Sequence, residues 1–291
     1  MPHCLISFGS NLGDRFRRIA EAARQIARDP AVTSFIASRL FETPAIGGPR
    51  GQEPFLNGVA RIETTATARG VLELLHRVET TLGRERAVRW DARSIDLDVV
   101  LYGDLLGNSA TLLVPHPRYT ARRFVLIPAA EVAGEWRDPR FGWTISELAD
   151  HVSAGVPSIA LVGGERQLRD ELCHDLTRRF SILTFTDARE AITLDRPRPW
   201  VSSFTPPLPA KDSPQARAVE TPRLVAHLQW TTPESRWPAT HQIWQSGREW
   251  PEYRLEVDSP EWAVSELASA LDSLGCPLHC VTEDGRWYET R

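Results

Sequence analysis

The chain has 291 residues, of which 42% are hydrophobic and 25% charged, values that allow a sizeable buried core and argue against bulk disorder. At roughly 150 residues per domain this length predicts about two domains. A formal net charge of −4, from 34 basic and 38 acidic residues, argues against a general electrostatic grip on nucleic acid or an anionic membrane. No apolar run approaches the ~20 residues that span a bilayer, and no basic region precedes the first apolar stretch, so a cytoplasmic protein is expected. Cys4, Cys173, Cys276 and Cys280 are too scattered for a disulfide framework and are expected as reduced thiols. Cys276 and Cys280 with His279 form at most half a zinc site, because no second ligand pair lies nearby.

In chain order, His3 to Phe8 reads as a buried strand running into Gly9, Ser10 and Asn11. Asp14 can cap a helix whose inward residues are Ile19, Ala22, Ala23 and Ile26. A strand, a loop rich in Gly and Pro (44–54), a returning strand (55–62) and a helix (67–82) follow. After an arginine-dense loop comes a strand from Ile95 to Tyr102. Helices and strands alternating in this way predict α/β or α+β layers. The natural cut is near 154, giving domains 1–154 and 155–291. The first carries 19 basic and 18 acidic residues and the second 15 and 20, so the acidity lies in the second. That second part opens with a strand (158–162), the turn Gly163-Gly164, a helix marked by Leu168, Leu172, Leu176 and Phe180, and a strand (182–185). Residues 195–222 hold seven prolines and read as a long loop or partly disordered insertion. A closing helix has Asp258 or Ser259 as cap, Pro260 in its first turn and Gly275 as its stop.

The sharpest chemical signal is Asp96 and Asp98 two apart on a strand, projecting to one face at roughly 7 Å while Ile95, Leu97 and Val99 face the core. Paired carboxylates with room for water suit Mg²⁺, and Mg²⁺ brings phosphate. An isolated pair of this kind is more often a solvated strand face. Here, however, Arg84, Arg86, Arg89 and Arg93 precede it, and arginine forks bind phosphate oxygens. A second cluster, Pro115-His116-Pro117-Arg118 to Arg122-Arg123-Phe124, adds three arginines and a histidine. A third, Thr43-Pro44-Ala45-Ile46 followed by Phe55 and Asn57, can wall a pocket for a flat heterocycle. Of the 34 basic residues only Lys211 is lysine, so any lysine chemistry would fall to it.

With the opening Ser7-Phe8-Gly9-Ser10-Asn11-Leu12-Gly13-Asp14-Arg15, these segments over about residues 3–152 resemble the 6-hydroxymethyl-7,8-dihydropterin pyrophosphokinases of folate biosynthesis. The resemblance implies a ferredoxin-like α+β fold and transfer of diphosphate from ATP to the pterin hydroxymethyl group, with AMP released. It assigns Asp96 and Asp98 as ligands of two Mg²⁺. Thr43, Pro44, Ile46, Phe55, Asn57, Trp90 and Phe124 fall to the pterin pocket, and Glu79, Arg84, Arg86, Arg93, His116 and Arg122 to ATP. Arg84 and Arg93 are the expected catalytic cations, and the segment 84–92 is expected to close with Trp90 over the site. Departures from the family pattern are His76, Phe55, Thr111 and the missing lysine of the arginine loop. The general base stays open between a side chain and a metal-bound alkoxide. A nucleic-acid module is disfavoured by acids amid the basic cluster, and a catalytically dead regulator by the presence of both acids and Arg93.

The second part looks like the start of an α/β P-loop nucleoside kinase, but the Walker pattern is absent: Leu168, Arg169 and Asp170 stand where Gly-Lys-Ser/Thr belongs. A degenerate kinase-like domain is the leading reading. A partner-binding or dimerising module is the alternative, since seven of the ten tryptophans lie there. Because every matched residue precedes 125, a fragment ending near His151 is expected to fold and act alone.

Overall fold

The computed structural model describes residues 1–49, 51–84, 93–109, 112–189, 192–231 and 249–289. Its first sheet is built on β1 (His3–Ser10), flanked antiparallel by β4 (Phe55–Thr64) and β5 (Asp96–Tyr102). β2 (Val32–Ala37) and β3 (Phe41–Thr43) both pair antiparallel with the long β4, at its two ends. Helices α1 (Arg15–Ala27) and α2 (Ala68–Thr81) connect these strands. Asp14 caps α1 by accepting from the Arg17 N–H, and Thr67 caps α2 by accepting from Gly70. Their apolar stripes cover one face of the sheet, where Ile19, Ala23, Ile26, Leu75 and Val78 meet Cys4, Ile6, Phe8, Ile62 and Leu97.

The other face divides along its length. Leu5, Val59 and Val100 pack against α3 (Arg123–Ala133), whereas Ser7, Gly9, Asn57, Asp96 and Asp98 continue the same face as small or polar residues. The period-2 alternation of β1, β4 and β5 thus makes half of this face a core and half the floor of a cleft. A short hairpin, β6 (Gly107–Asn108) with β7 (Leu113–Val114), leads to the His116 segment.

The second sheet is wholly parallel in the order β12-β11-β8-β10-β9: β8 (Ser158–Gly163), β9 (Leu183–Phe185), β10 (Trp200–Ser202), β11 (Leu224–Trp230) and β12 (Glu252–Val257). α5 (Arg166–Phe180) and α6 (Pro260–Gly275) pack on it, the latter capped by Ser259 with Pro260 in the first turn. The expectation of a long loop or partly disordered insertion over 195–222 is corrected at one point. Trp200, Val201 and Ser202 form a buried strand between β8 and β9, and Trp200 Nε1 donates to the Val219 carbonyl. The flanking prolines lie outside the three residues that need ladder hydrogen bonds, so they do not prevent the strand.

Of two buried clusters, the first lies between the first sheet and its helices, and the second is shared by both sheets. α4 (Ile145–Ser153), closed by a Thr144–Glu147 capping box, places Trp143 and His151 against Trp250 from the second unit. Leu126, Leu148, Leu161, Trp250 and Leu267 belong to the same buried cluster. Trp200, Trp250 and Trp287 are core residues, not an open interface. No described helix is long and apolar enough to cross a membrane.

A division at 154 separates one segment from the sheet it joins. β13 (His279–Cys280) pairs antiparallel with β3, and Trp287 inserts into the first core, its Nε1 donating to the Ser38 carbonyl at 2.7 Å. Gly285 permits this return, because a Cβ there would stand 1.8 Å from the Ala37 carbonyl oxygen. Trp287→Ala should cost about 3–5 kcal/mol, the usual loss for an aromatic removed from a packed core. Urea denaturation followed by far-UV dichroism measures this, and a loss below about 1 kcal/mol would mean that the returning segment only rests on the surface.

Candidate active site

Three adjacent strands bring the cleft floor together: Asn57 on β4 lies opposite Gly9 on β1, which lies opposite Asp96 on β5. Gly9 keeps the floor low, since a Cβ there would come within 3.3 Å of Asn57 Oδ1. Asn57 Nδ2 donates to Thr43 Oγ1 at 2.8 Å, and both side chains are buried. Around this floor a cleft is lined by Thr43, Pro44, Ile46, Phe55 and Phe124 and by Arg93 and Arg122. Every described residue that the sequence reading gave to a heterocycle pocket is therefore gathered in one place. Arg86, Trp90 and Thr111 lie outside the described residues.

Both carboxylates of β5 are partly open, with side-chain exposures of 21% for Asp96 and 36% for Asp98, and each is met by arginine. Asp96 accepts from Arg93 Nη1 at 2.6 Å and lies 2.8 Å from Arg84 Nη2. Asp98 faces Arg122 Nη1 at 3.5 Å and His116 Nε2 at 3.9 Å. Burial, with Arg122 and Arg118 nearby, holds the His116 imidazole well below its usual range. His116 Nδ1 accepts from the Arg118 N–H at 3.1 Å, so the proton of the neutral ring sits on Nε2, toward Asp98.

Glu79, which the resemblance assigns to ATP, is a buried neighbour of Arg84 and β5. It is 2% exposed on α2, accepts from the Leu97 N–H at 2.8 Å, and pairs with Arg84. It therefore fixes Arg84 and the start of β5 from behind. Asn11, which the sequence reading left without a role, ties the loops together: its Oδ1 accepts from the Arg93 N–H at 2.7 Å and its Nδ2 donates to Gln52 Oε1 at 3.2 Å.

The largest addition comes from the second unit. Tyr253 of β12 and Glu266, Ser269, Ala270 and Ser273 of α6 complete the cleft lining. Arg254 donates its backbone N–H to the Pro117 carbonyl, Thr120 Oγ1 donates to the Glu252 carbonyl, and Arg123 Nη1 donates to the Cys276 carbonyl. The segment that carries His116 and Arg122 is thus braced by the second unit. A fragment ending near His151, expected to act alone, would lack these lining residues and the hydrogen bonds that brace the His116–Arg122 segment.

The donor set suits a hard cation delivered with a phosphorylated substrate. Asp96 and Asp98 offer oxygen ligands only, stand half open, and leave room for water and phosphate oxygens, as Mg²⁺ requires. The described residues hold no closed group of three or more His, Cys, Asp or Glu that would grip a metal by itself. An apolar, aromatic-lined cleft beside a carboxylate pair and four cationic or hydrogen-bonding groups defines a phosphate-transferring enzyme for a flat ring. Residues 5–134 match the model of the 7,8-dihydro-6-hydroxymethylpterin-pyrophosphokinase family. The chain is 39% identical over 127 residues to the 2-amino-4-hydroxy-6-hydroxymethyldihydropteridine pyrophosphokinase of Bacillus subtilis, covering 44% of this chain and 75% of that one. It is 36% identical over 133 residues to the same-named protein of Methylorubrum extorquens (46% and 84%) and 32% identical over 148 residues to that of Synechocystis (51% and 75%). The chain belongs to this pyrophosphokinase family.

One titration follows from the geometry. Burial pushes the Glu79 carboxyl from its ordinary 4.5 up to about 7, against the pull of Arg84 and the Leu97 hydrogen bond. A carboxyl raised in the folded state favours folding while protonated, and that advantage is lost between pH 4.5 and about 7 as the unfolded chain ionises first. Wild-type stability relative to Glu79→Gln should therefore fall across this window. Chemical denaturation of both proteins at pH 5 and pH 8 checks it; a difference that grows with pH would contradict the sign.

Proposed function

We propose that this chain transfers diphosphate from ATP to 6-hydroxymethyl-7,8-dihydropterin, giving the pterin diphosphate and AMP, as a cytoplasmic step of folate biosynthesis. The observation that carries it is the junction of the aromatic-lined cleft with the Asp96–Asp98 face of β5. The ring lies between Phe55 and Phe124, with Thr43 and Asn57 reading its hydrogen-bonding edge and Pro44 and Ile46 bounding it. Its hydroxymethyl group then points over Gly9 toward the carboxylates. Asp96 and Asp98 would hold Mg²⁺, two ions in our reading, and the metal supplies charge neutralisation on the ATP phosphates.

The arginines that neutralise these carboxylates are the groups placed to take over phosphate oxygens when the nucleotide arrives. Arg84 and Arg93 turn from Asp96 to the phosphates, Arg122 turns from Asp98, and His116 donates its Nε2 proton as a neutral imidazole. Glu79 limits how far Arg84 can move. Arg86 and Trp90 are assigned to the nucleotide and to closure over the pterin from sequence alone. As the pterin oxygen bonds to the β-phosphorus, its hydroxyl proton departs and the bond from that phosphorus to the α-phosphate oxygen breaks, releasing AMP.

We read the first unit as ferredoxin-like: the order β5-β1-β4-β2 with α1 and α2 as crossovers is a split βαβ arrangement. We read residues 155–291 as a degenerate kinase-like unit joined to it, with 279–288 reattached to the first sheet. A parallel sheet and the Gly163-Gly164 turn between β8 and α5 support this. Arg169 fills that turn, with Nη1 donating to both glycine carbonyls and Nε to the Ser203 carbonyl. Lys211 is held by Glu147 on α4, not by the turn. Phosphorylation of nucleosides by this unit is therefore not part of the proposal.

Asp96→Ala or Asp98→Ala should abolish AMP formation while leaving the chain folded, and Arg93→Ala should reduce kcat by about 10²–10³-fold with a much smaller change in pterin affinity. Coupled AMP assays and equilibrium binding with a non-hydrolysable ATP analogue test this. Retained turnover in either aspartate variant at saturating Mg²⁺ would remove the carboxylates from the reaction.

A further inference from the structure

A helix that packs on its own sheet presents one apolar stripe, and α6 does so through Ala263, Val264, Leu267, Leu271 and Leu274. It also presents a second stripe. Glu266, Ser269, Ala270 and Ser273 follow at i, i+3, i+4 and i+7 and line the cleft whose floor is Gly9, Asn57 and Asp96. These residues are small or polar where the rest of the buried surface of α6 is aliphatic, which leaves space for an occupant and offers it hydrogen bonds.

Glu266 is the most pointed of them. It is 6% exposed, and its Oε1 accepts from Tyr253 Oη at 2.7 Å. Its Oε2 lies 3.1 Å from Arg118 Nη1 as an ion pair but receives no well-directed hydrogen bond. Tyr253 is itself held in its protonated, donating form by burial and by the Glu266 charge. A buried carboxylate oxygen with acceptor capacity to spare, on the wall of a cleft, fits a ligand that carries N–H donors. A pterin carries an amino group and ring N–H groups.

We propose that α6 is the closing wall of the pterin cleft, and that Glu266 and Ser273 contact the bound pterin from the side opposite Asn57. This rests on the reading of the cleft as a pterin site. The second unit is then a working part of the transferase: its helix shapes and polarises the pocket, while β12 braces the His116–Arg122 segment.

The test uses the full chain, with pterin binding measured by calorimetry in the presence of Mg²⁺ and a non-hydrolysable ATP analogue, and melting recorded for every variant. Ser269 is half-buried and faces the cleft, so Ser269→Leu should fill the pocket, keep the melting temperature, and weaken pterin binding by about tenfold or more. Glu266→Gln keeps the shape and removes the charge; it should raise the KM for pterin several-fold with kcat and nucleotide affinity little changed. Phe55→Ala probes the opposite wall independently. Loss of pterin affinity in Phe55→Ala with wild-type affinity in folded Ser269→Leu and Glu266→Gln would overturn the role of α6 while leaving the pterin site standing. Weakened nucleotide binding with unchanged pterin binding in the α6 variants would overturn it too. A wild-type chain that binds no pterin would overturn the site reading and this proposal with it.

Discussion

Two carboxylates side by side at the start of β5 set the terms for everything around them. Like charges about 7 Å apart on one strand face repel unless cations stand between them. Arg84, just after α2, and Arg93, just before β5, both come to Asp96, and Arg122 and His116 come to Asp98 from the segment after β7. Each cation is in turn anchored: Arg84 by Glu79, the backbone of Arg93 by Asn11, and the 117–123 segment by β12 and α6. The carboxylate pair thus organises two loops, one helix of the first unit and one edge of the second.

The same chemistry explains why the cleft is both open and ordered. Arginines paired with aspartates are already partly desolvated and oriented, so on the proposed reading phosphate oxygens would meet donors whose positions cost little to fix. The neutral His116 adds a hydrogen-bond donor without adding charge to a region already rich in arginine. The Thr43–Asn57 hydrogen bond holds the amide at the cleft floor, and the aromatic walls provide area without further charge.

Much of this was legible in the sequence because it obeys a short period. Ile95, Leu97 and Val99 alternate with Asp96 and Asp98, and the burial pattern reproduces the alternation. Capping residues marked α1 and α6 for the same local reason. The parts that escaped are those decided by distant partners. Trp200–Ser202 is too short to show a period and sits among prolines. Glu266, Ser269 and Ser273 look like a solvated helix face, and only the first unit lying against them makes that face a wall. The burial of Glu79 likewise depends on Leu97 and Arg84, which lie beyond its own helix.

The return of residues 279–288 to β3 bears on how the protein is assembled. Trp287 and Ser38, which share a hydrogen bond, are separated by 249 residues, so the sheet that carries Thr43 and Asn57 cannot be finished until nearly all of the second unit has been synthesised. Until then β3 presents an unpaired edge, the kind of surface on which nascent chains pair wrongly with one another. Order of synthesis and order of completion are therefore opposed in this molecule: the unit made first is closed last, and the second unit stands between the ribosome and a finished cleft.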